Sequence, residues 1–210
     1  MTMKKRYALL LLLLIGSLHT QAQIKWSNPL DQPITVIRGR AWHNEQQRTY
    51  ARLPLKAKNL VNKAVWNLSQ QSAGLSIAFY SNSPEIKIKY TVTGGRSMAH
   101  MPATGVSGVD LYATDRNGRS RWCAAKYSLG DTLVYTYDGL TYEDASNKGY
   151  EYTLFLPLYN SVSFLEIGVK DNASISFIPV SEEKPLVVYG TSIAQGACAS
   201  RPGMAWINII

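Results

Sequence analysis

Short apolar runs that alternate with polar residues, each closed by a turn signal, decide what this chain can build. Over Glu85 to Val92 the side chains of Ile86, Ile88, Tyr90 and Val92 fall on one face and two lysines on the other. Gly74 to Tyr80 alternates apolar and small residues, and Ser81-Asn82-Ser83-Pro84 between the two runs is a turn. In a strand successive side chains point to opposite faces, so a period of two reads as a half-buried strand. Further candidates are Val109 to Thr114, Thr132 to Tyr137, Tyr150 to Leu156, Phe164 to Val169 and Ser174 to Ile178. Gly94-Gly95, Asn117-Gly118, Asp138-Gly139 and Asp171-Asn172 break them. Many short strands with almost no helical period predict a mainly β fold, a jelly-roll-like antiparallel β-sandwich over 23–181. Arg52 to Pro54 and Asn59 to Trp66 read as extended or irregular sections, and the chain has no internal repeat.

Residues 1–22 read as a secretory signal peptide, with Lys4, Lys5 and Arg6 as the positive start, Ala8 to Ile15 as the apolar core and Thr20-Gln21-Ala22 as the cleavage site. The apolar run is short for a membrane span, and no later stretch approaches it. The expectation is a mature start near Gln23, in the periplasm or outside the cell, with no membrane attachment after cleavage. The formal charge is +8, and removing Lys4, Lys5 and Arg6 leaves +5. The positive residues are scattered without a Lys/Arg run, which argues against nucleic acid as a partner. Cys123 and Cys198 read as free thiols, and no Cys/His cluster has metal-ligand spacing.

Ser181-Glu182-Glu183-Lys184-Pro185 is the clearest boundary. Beyond it Leu186-Val187-Val188-Tyr189 is a continuous apolar run, the pattern of a strand covered on both faces in a parallel sheet. Gly190 and Thr191 then turn the chain, and the following stretch starts a helix. Met204, Ile207 and Ile210 fall at helical spacing after Pro202, which suits a first helical turn. A serine between strand and helix, here Ser192, has its Oγ exposed at a strand's carboxyl end. Backbone N–H groups beside it can meet a developing oxyanion. A serine alone is a poor nucleophile and needs a base.

The string Gly190-Thr191-Ser192-Ile193-Ala194-Gln195-Gly196 resembles the first signature block of the SGNH, or GDSL-like, hydrolases, Gly-Asp-Ser-x-x-x-Gly, with Thr191 in place of the usual Asp. The run continues through Cys198-Ala199-Ser200-Arg201-Pro202-Gly203-Met204, with Ala194 and Ala197 where close relatives carry Thr and Gly. In one secreted subgroup a β-rich N-terminal domain with a Gly-x-Asp-Leu-Tyr signature precedes the hydrolase domain. Gly108-Val109-Asp110-Leu111-Tyr112 matches it. The resemblance implies that Ser192 is the nucleophile, that its N–H is an oxyanion donor, and that Gly190 and Gly196 shape the turn. It implies that 185–210 is the first β–α unit of an α/β, flavodoxin-like hydrolase domain. The family triad runs Ser, Asp, His, whereas His19, His43 and His100 all precede Ser192. The chain therefore reads as truncated just after the nucleophile block and inactive by itself.

The activity implied is that of a serine esterase acting on acylated carbohydrate or another small ester, with no metal or organic cofactor. The rival readings are a non-catalytic β-sandwich that binds carbohydrate or a partner, and an inactive gene fragment. Asp110 is read either as the ion-pair partner of a basic residue such as Arg96 or as a ligand contact. His100 is read as a structural histidine or as one facing a site, and Arg201 as a bridge to acidic groups or a solvated surface cation.

Overall fold

The computed structural model describes residues 23–42, 48–140, 148–184 and 186–209. The signal-peptide reading of 1–22, together with His19 and His43, lies outside the described residues.

Among the described residues eleven strands form: β1 (Ile24–Ser27), β2 (Ile37–Arg38), β3 (Ser76–Ser81), β4 (Ile86–Val92), β5 (Asp110–Thr114), β6 (Ser120–Cys123), β7 (Lys126–Leu129), β8 (Leu133–Tyr137), β9 (Tyr150–Phe155), β10 (Val162–Lys170) and β11 (Ile175–Phe177). They make two sheets, one in the order β1-β10-β4-β8-β7, the other β11-β3-β9-β5-β6 with β2 also on β3. All pairings are antiparallel.

The predicted mainly β architecture of antiparallel sheets is what forms. In β4 the inward residues Ile86, Ile88 and Tyr90 are wholly buried while Lys87 and Lys89 are half-buried. The register sets Ile88 between Ile167 and Tyr135 in one sheet, and Leu154 between Ile77 and Leu111 in the other. All of these join one core drawn from both sheets. At about 25 cal/mol per Å² of apolar surface, this shared burial is the main force holding the two layers.

Each strand run named from the sequence between Gly74 and Ile178 is present, with ends shifted by one or two residues. Strands β1, β2, β6 and β7 were not legible. The reason is clearest in β6 and β7, which close the two sheets on the same side. Ser120, Arg121 and Trp122 of β6 and Lys126, Tyr127 and Ser128 of β7 are exposed, so no apolar alternation marks them. The Asn59 to Trp66 section is corrected as well: Lys63–Ser69 is an α-helix, capped by the Asn62 side chain accepting from the Val65 N–H at 2.9 Å.

Two local expectations in the C-terminal section change. Leu186–Tyr189 is no strand here, with Leu186, Val187 and Tyr189 at 80, 67 and 100% exposure. A strand needs a neighbour for its N–H and C=O groups, and none of the described residues pairs with it. The helix expected from Arg201 onward is two 3-10 turns, Pro202–Met204 and Trp206–Asn208. These turns do not hang free. Ala205 is buried with Ala73, Met101, Val106 and Leu158 in a second apolar cluster, against which Ala199 and Ile207 also pack.

Candidate functional site

Ser192 opens a four-residue helical turn, Ser192–Gln195. Gly196 ends it in the left-handed conformation at φ 99°, where a Cβ would lie 2.9 Å from the Ala205 Cβ. Glycine is the residue that fits there at no steric cost. A Cβ on Gly190 would lie 2.6 Å from that of Ala194. Thr191 is extended and makes no side-chain cap. The first N–H groups of the turn, that of Ser192 included, are therefore not taken up by Thr191. Ser192 is exposed, and its Oγ makes no hydrogen bond among the described residues.

The turn's carbonyls are tied down instead. The Ser192 carbonyl accepts from the Tyr159 hydroxyl at 3.0 Å and from the Ala197 N–H at 2.9 Å. The Ile193 carbonyl accepts from the Trp206 indole N–H at 3.0 Å. The Gln195 amide donates to the Leu158 carbonyl at 3.0 Å and to the Gln71 side chain. Arg52 braces the same region, donating to the Gln71 carbonyl at 3.0 Å and the Leu68 carbonyl at 2.6 Å. Tyr159, Gln71 and Arg52 carry no sequence signal, because their partners lie far along the chain.

A second cluster stands on β5. Asp110 is 3% exposed. Its Oδ2 accepts from Arg201 Nη1 at 2.7 Å and from the Gly203 N–H at 3.0 Å, and its Oδ1 from the Trp122 indole at 2.6 Å. Arg201 Nη1 also donates to the Tyr112 hydroxyl at 2.7 Å, and the guanidinium carbon lies 4.5 Å from the centroid of a Trp122 ring. Burial pushes the Asp110 carboxyl above its usual range, against the pull of Arg201, Trp122 and Gly203. Both oxygens already accept, so the ionised form is the one this site accommodates. Burial pulls Arg201 down, but its bonds to Tyr112 and Asp110 outweigh that and hold it up.

Arg96, expected as a partner of Asp110, instead meets Asp131 at 3.4 Å. His100 is exposed. Cys123 is buried and Cys198 is exposed, and among the described residues neither forms a disulfide. Among the described residues no group of His, Cys, Asp or Glu is arranged to hold a metal ion. Beside Asp110 opens a cavity of about 310 Å³ whose lining includes Val109, Trp122, Tyr127, Tyr137 and Arg201. Trp122 and Tyr127 are about half exposed, and Tyr127 stacks on Tyr135 at 5.1 Å.

Residues 24–175 match the family model described as the N-terminus of SGNH-hydrolase-type esterases, and residues 183–210 match that of the GDSL-like lipase/acylhydrolase family. Among solved structures, a protein described as a GDSL-like lipase from Bacteroides ovatus is 31% identical, with a TM-score of 0.70, covering 89% of this chain and 52% of its own. A salicylyl acyltransferase from a tetracycline biosynthetic pathway, 20% identical with a TM-score of 0.55, shares the fold over 90% of this chain and 51% of its own. The chain thus spans about half the length of these structures. No curated protein is detectably similar to it.

Proposed function

We propose, for a chain that belongs to the family of SGNH-hydrolase-type esterases, that Ser192 is the nucleophile of a secreted ester hydrolase acting on acylated carbohydrate. The observation that carries this is the Ser192 turn: an exposed hydroxyl at the start of a helical turn whose carbonyls are tied down and whose leading N–H groups are uncapped. Ser192 Oγ attacks the ester carbonyl and gives its proton to a general base. The oxygen becomes an oxyanion that the Ser192 N–H meets, the alcohol leaves with a proton, and water then releases the acid from the acyl-enzyme. One such donor is typically worth about 10²–10³ in rate. The carbohydrate rests on the family resemblance, and secretion on residues 1–22.

No histidine follows Ser192 in these 210 residues. A polypeptide ending at Ile210 is therefore expected to show no turnover of p-nitrophenyl acetate above background. The decisive assay reads the coding DNA beyond Ile210 and tests its whole product on acetylated sugars, with Ser192→Ala beside it. Turnover lost in the variant supports the reading. Turnover that survives it rules Ser192 out as nucleophile.

A second reading, a glycan-binding module, is favoured by half-exposed Trp122 and Tyr127 at the 310 Å³ cavity. Sugar rings stack on such faces. It predicts that methyl glycosides quench tryptophan fluorescence of the chain and that Trp122→Ala abolishes the response. An unchanged spectrum at millimolar glycoside counts against it.

A further inference from the structure

The chain's two signatures meet in space, and each residue of Gly108-Val109-Asp110-Leu111-Tyr112 has a separate physical duty. A Cβ on Gly108 would lie 2.3 Å from the Thr104 carbonyl oxygen and 2.6 Å from the Tyr135 hydroxyl, so the glycine lets the chain entering β5 pass between the Thr104 turn and the opposite sheet. Val109 and Leu111 are 3% and 0% exposed and belong to the shared core. Asp110 and Tyr112 alternate with them and turn the other way, and both receive the same Arg201 nitrogen at 2.7 Å. Trp122, paired opposite Tyr112 on β6, supplies an aromatic wall for the guanidinium.

What this surface accepts is narrowly defined. It takes a planar cation, and two residues on a backbone N–H without a side chain. A Cβ at Gly203 would lie 2.7 Å from Asp110 Oδ2 and from the Tyr112 hydroxyl. We infer that the Gly-Val-Asp-Leu-Tyr segment is a socket for an Arg-x-Gly segment, occupied by Arg201-Pro202-Gly203, and that Asp110 and Arg201 are positioning residues for the Ser192 turn.

The connection from socket to turn is continuous. Thr104 Oγ1 donates to the Ser200 carbonyl at 2.6 Å, which seats the chain just before Arg201. The Met204 and Ala205 N–H groups bond back to the Arg201 and Pro202 carbonyls. Ala205 then packs on Gly196, the end of the Ser192 turn, and the Trp206 indole bonds the Ile193 carbonyl. The loop from Ser192 to Asn208 is thus folded on itself and fixed to the sandwich at its far end. The benefit to catalysis rests on the reading of Ser192 above; the socket itself does not.

Hydrogen exchange by mass spectrometry on the purified chain tests this without any turnover. Asp110→Asn removes the carboxylate charge and leaves either Arg201 with Gly203 or Trp122 facing an N–H in place of an acceptor, and Arg201→Gln removes the cation. Each is expected to speed exchange over 196–208 by about ten- to hundredfold, the usual worth of a hydrogen bond to a charged group, while 86–92 and 133–137 stay unchanged. Arg201→Lys, which keeps the charge but not the planar fork, falls between. The double variant Asp110→Asn/Arg201→Gln opens the segment by less than the two single effects combined, because both singles remove the shared Asp110–Arg201 contact. Tyr112→Phe, the mildest change, speeds the same segment a fewfold. Asp115→Asn, at another buried carboxylate on this sheet, disturbs only the neighbouring turn. Equal acceleration over both sheets would make Asp110 a residue of general stability and overturn the proposal. So would unchanged exchange over 196–208, or full additivity in the double variant. A failed esterase assay with a positive exchange result would sink only the Ser192 reading.

Discussion

Two glycines at positive φ separate what backbone conformation demands from what packing demands. Gly118 has φ 78° and nothing within 4 Å of an added Cβ, whereas Gly196 has φ 99° and would meet Ala205 and Leu158. Left-handed backbone costs an ordinary residue about 1–2 kcal/mol. Gly118→Ala should lose about that much, measured by denaturant unfolding. Gly196→Ala should add a steric cost and open 192–199 more than tenfold in exchange; equal effects would mean that Ala205 is not a real constraint. The sequence showed that position 196 wants glycine, through its likeness to a signature block, but not why, because Ala205 and Leu158 are identified only by the folded chain. The same holds for Asp110. Its partner stands 91 residues away at Arg201, past several nearer cations, and one of those, Arg96, was the expectation. Alternation told correctly that Asp110 faces away from Val109 and Leu111; nothing local told what it faces.

At the scale of elements, legibility followed burial. Strands with one face in the core, such as β4 and β8, carry the alternation that burial requires, and they were read to within a residue or two. The edge strands β6 and β7 bury little and left no pattern. The apolar run Leu186–Tyr189 is the converse case, a strong strand pattern with no sheet to join. It lies outside the core, so Val187→Ser with Tyr189→Ser should change stability by less than about 0.5 kcal/mol. The pair should also reduce self-association on size-exclusion, since exposed apolar patches promote contact between copies. A loss of several kcal/mol would show that the run is buried in solution. Deleting residues 185–210 is a different matter, because 191–209 covers Met101, Val106 and Leu158 and supplies Arg201 to Asp110. Breaking a fully buried ion pair costs about 3–5 kcal/mol. Arg201 is a quarter exposed, so solvent screening reduces this to about 1–3 kcal/mol here. A deletion variant as stable as the parent in urea would mean that the docked segment contributes nothing to the sandwich.

At the scale of the whole molecule, the sandwich core among the described residues holds six buried tyrosines, and that gives the protein a definite response to alkali. Tyr90 and Tyr137 are essentially unexposed. Burial raises both hydroxyls well above their ordinary value of 10.0, and burial raises Tyr50 and Tyr135 in the same sense. In the unfolded chain these groups lose their protons near pH 10. In the folded protein they keep them. Above pH 10 the unfolded state therefore binds fewer protons than the native state, so stability falls as pH rises, and below pH 10 this contribution is fully present. Each such tyrosine contributes a slope of about 1.4 kcal/mol per pH unit, and Tyr90 with Tyr137 alone give about 3. Urea unfolding at pH 8, 9, 10, 10.5 and 11 measures this directly. The expected curve is level to pH 9 and then steepens. Tyr137→Phe removes one titrating group while keeping the ring, and should flatten the slope by one proton's worth. A stability that stays level to pH 11, or a slope unaltered by Tyr137→Phe, would mean that these hydroxyls ionise as readily in the folded protein as in the open chain. Their ring contacts would then not amount to a core closed to water.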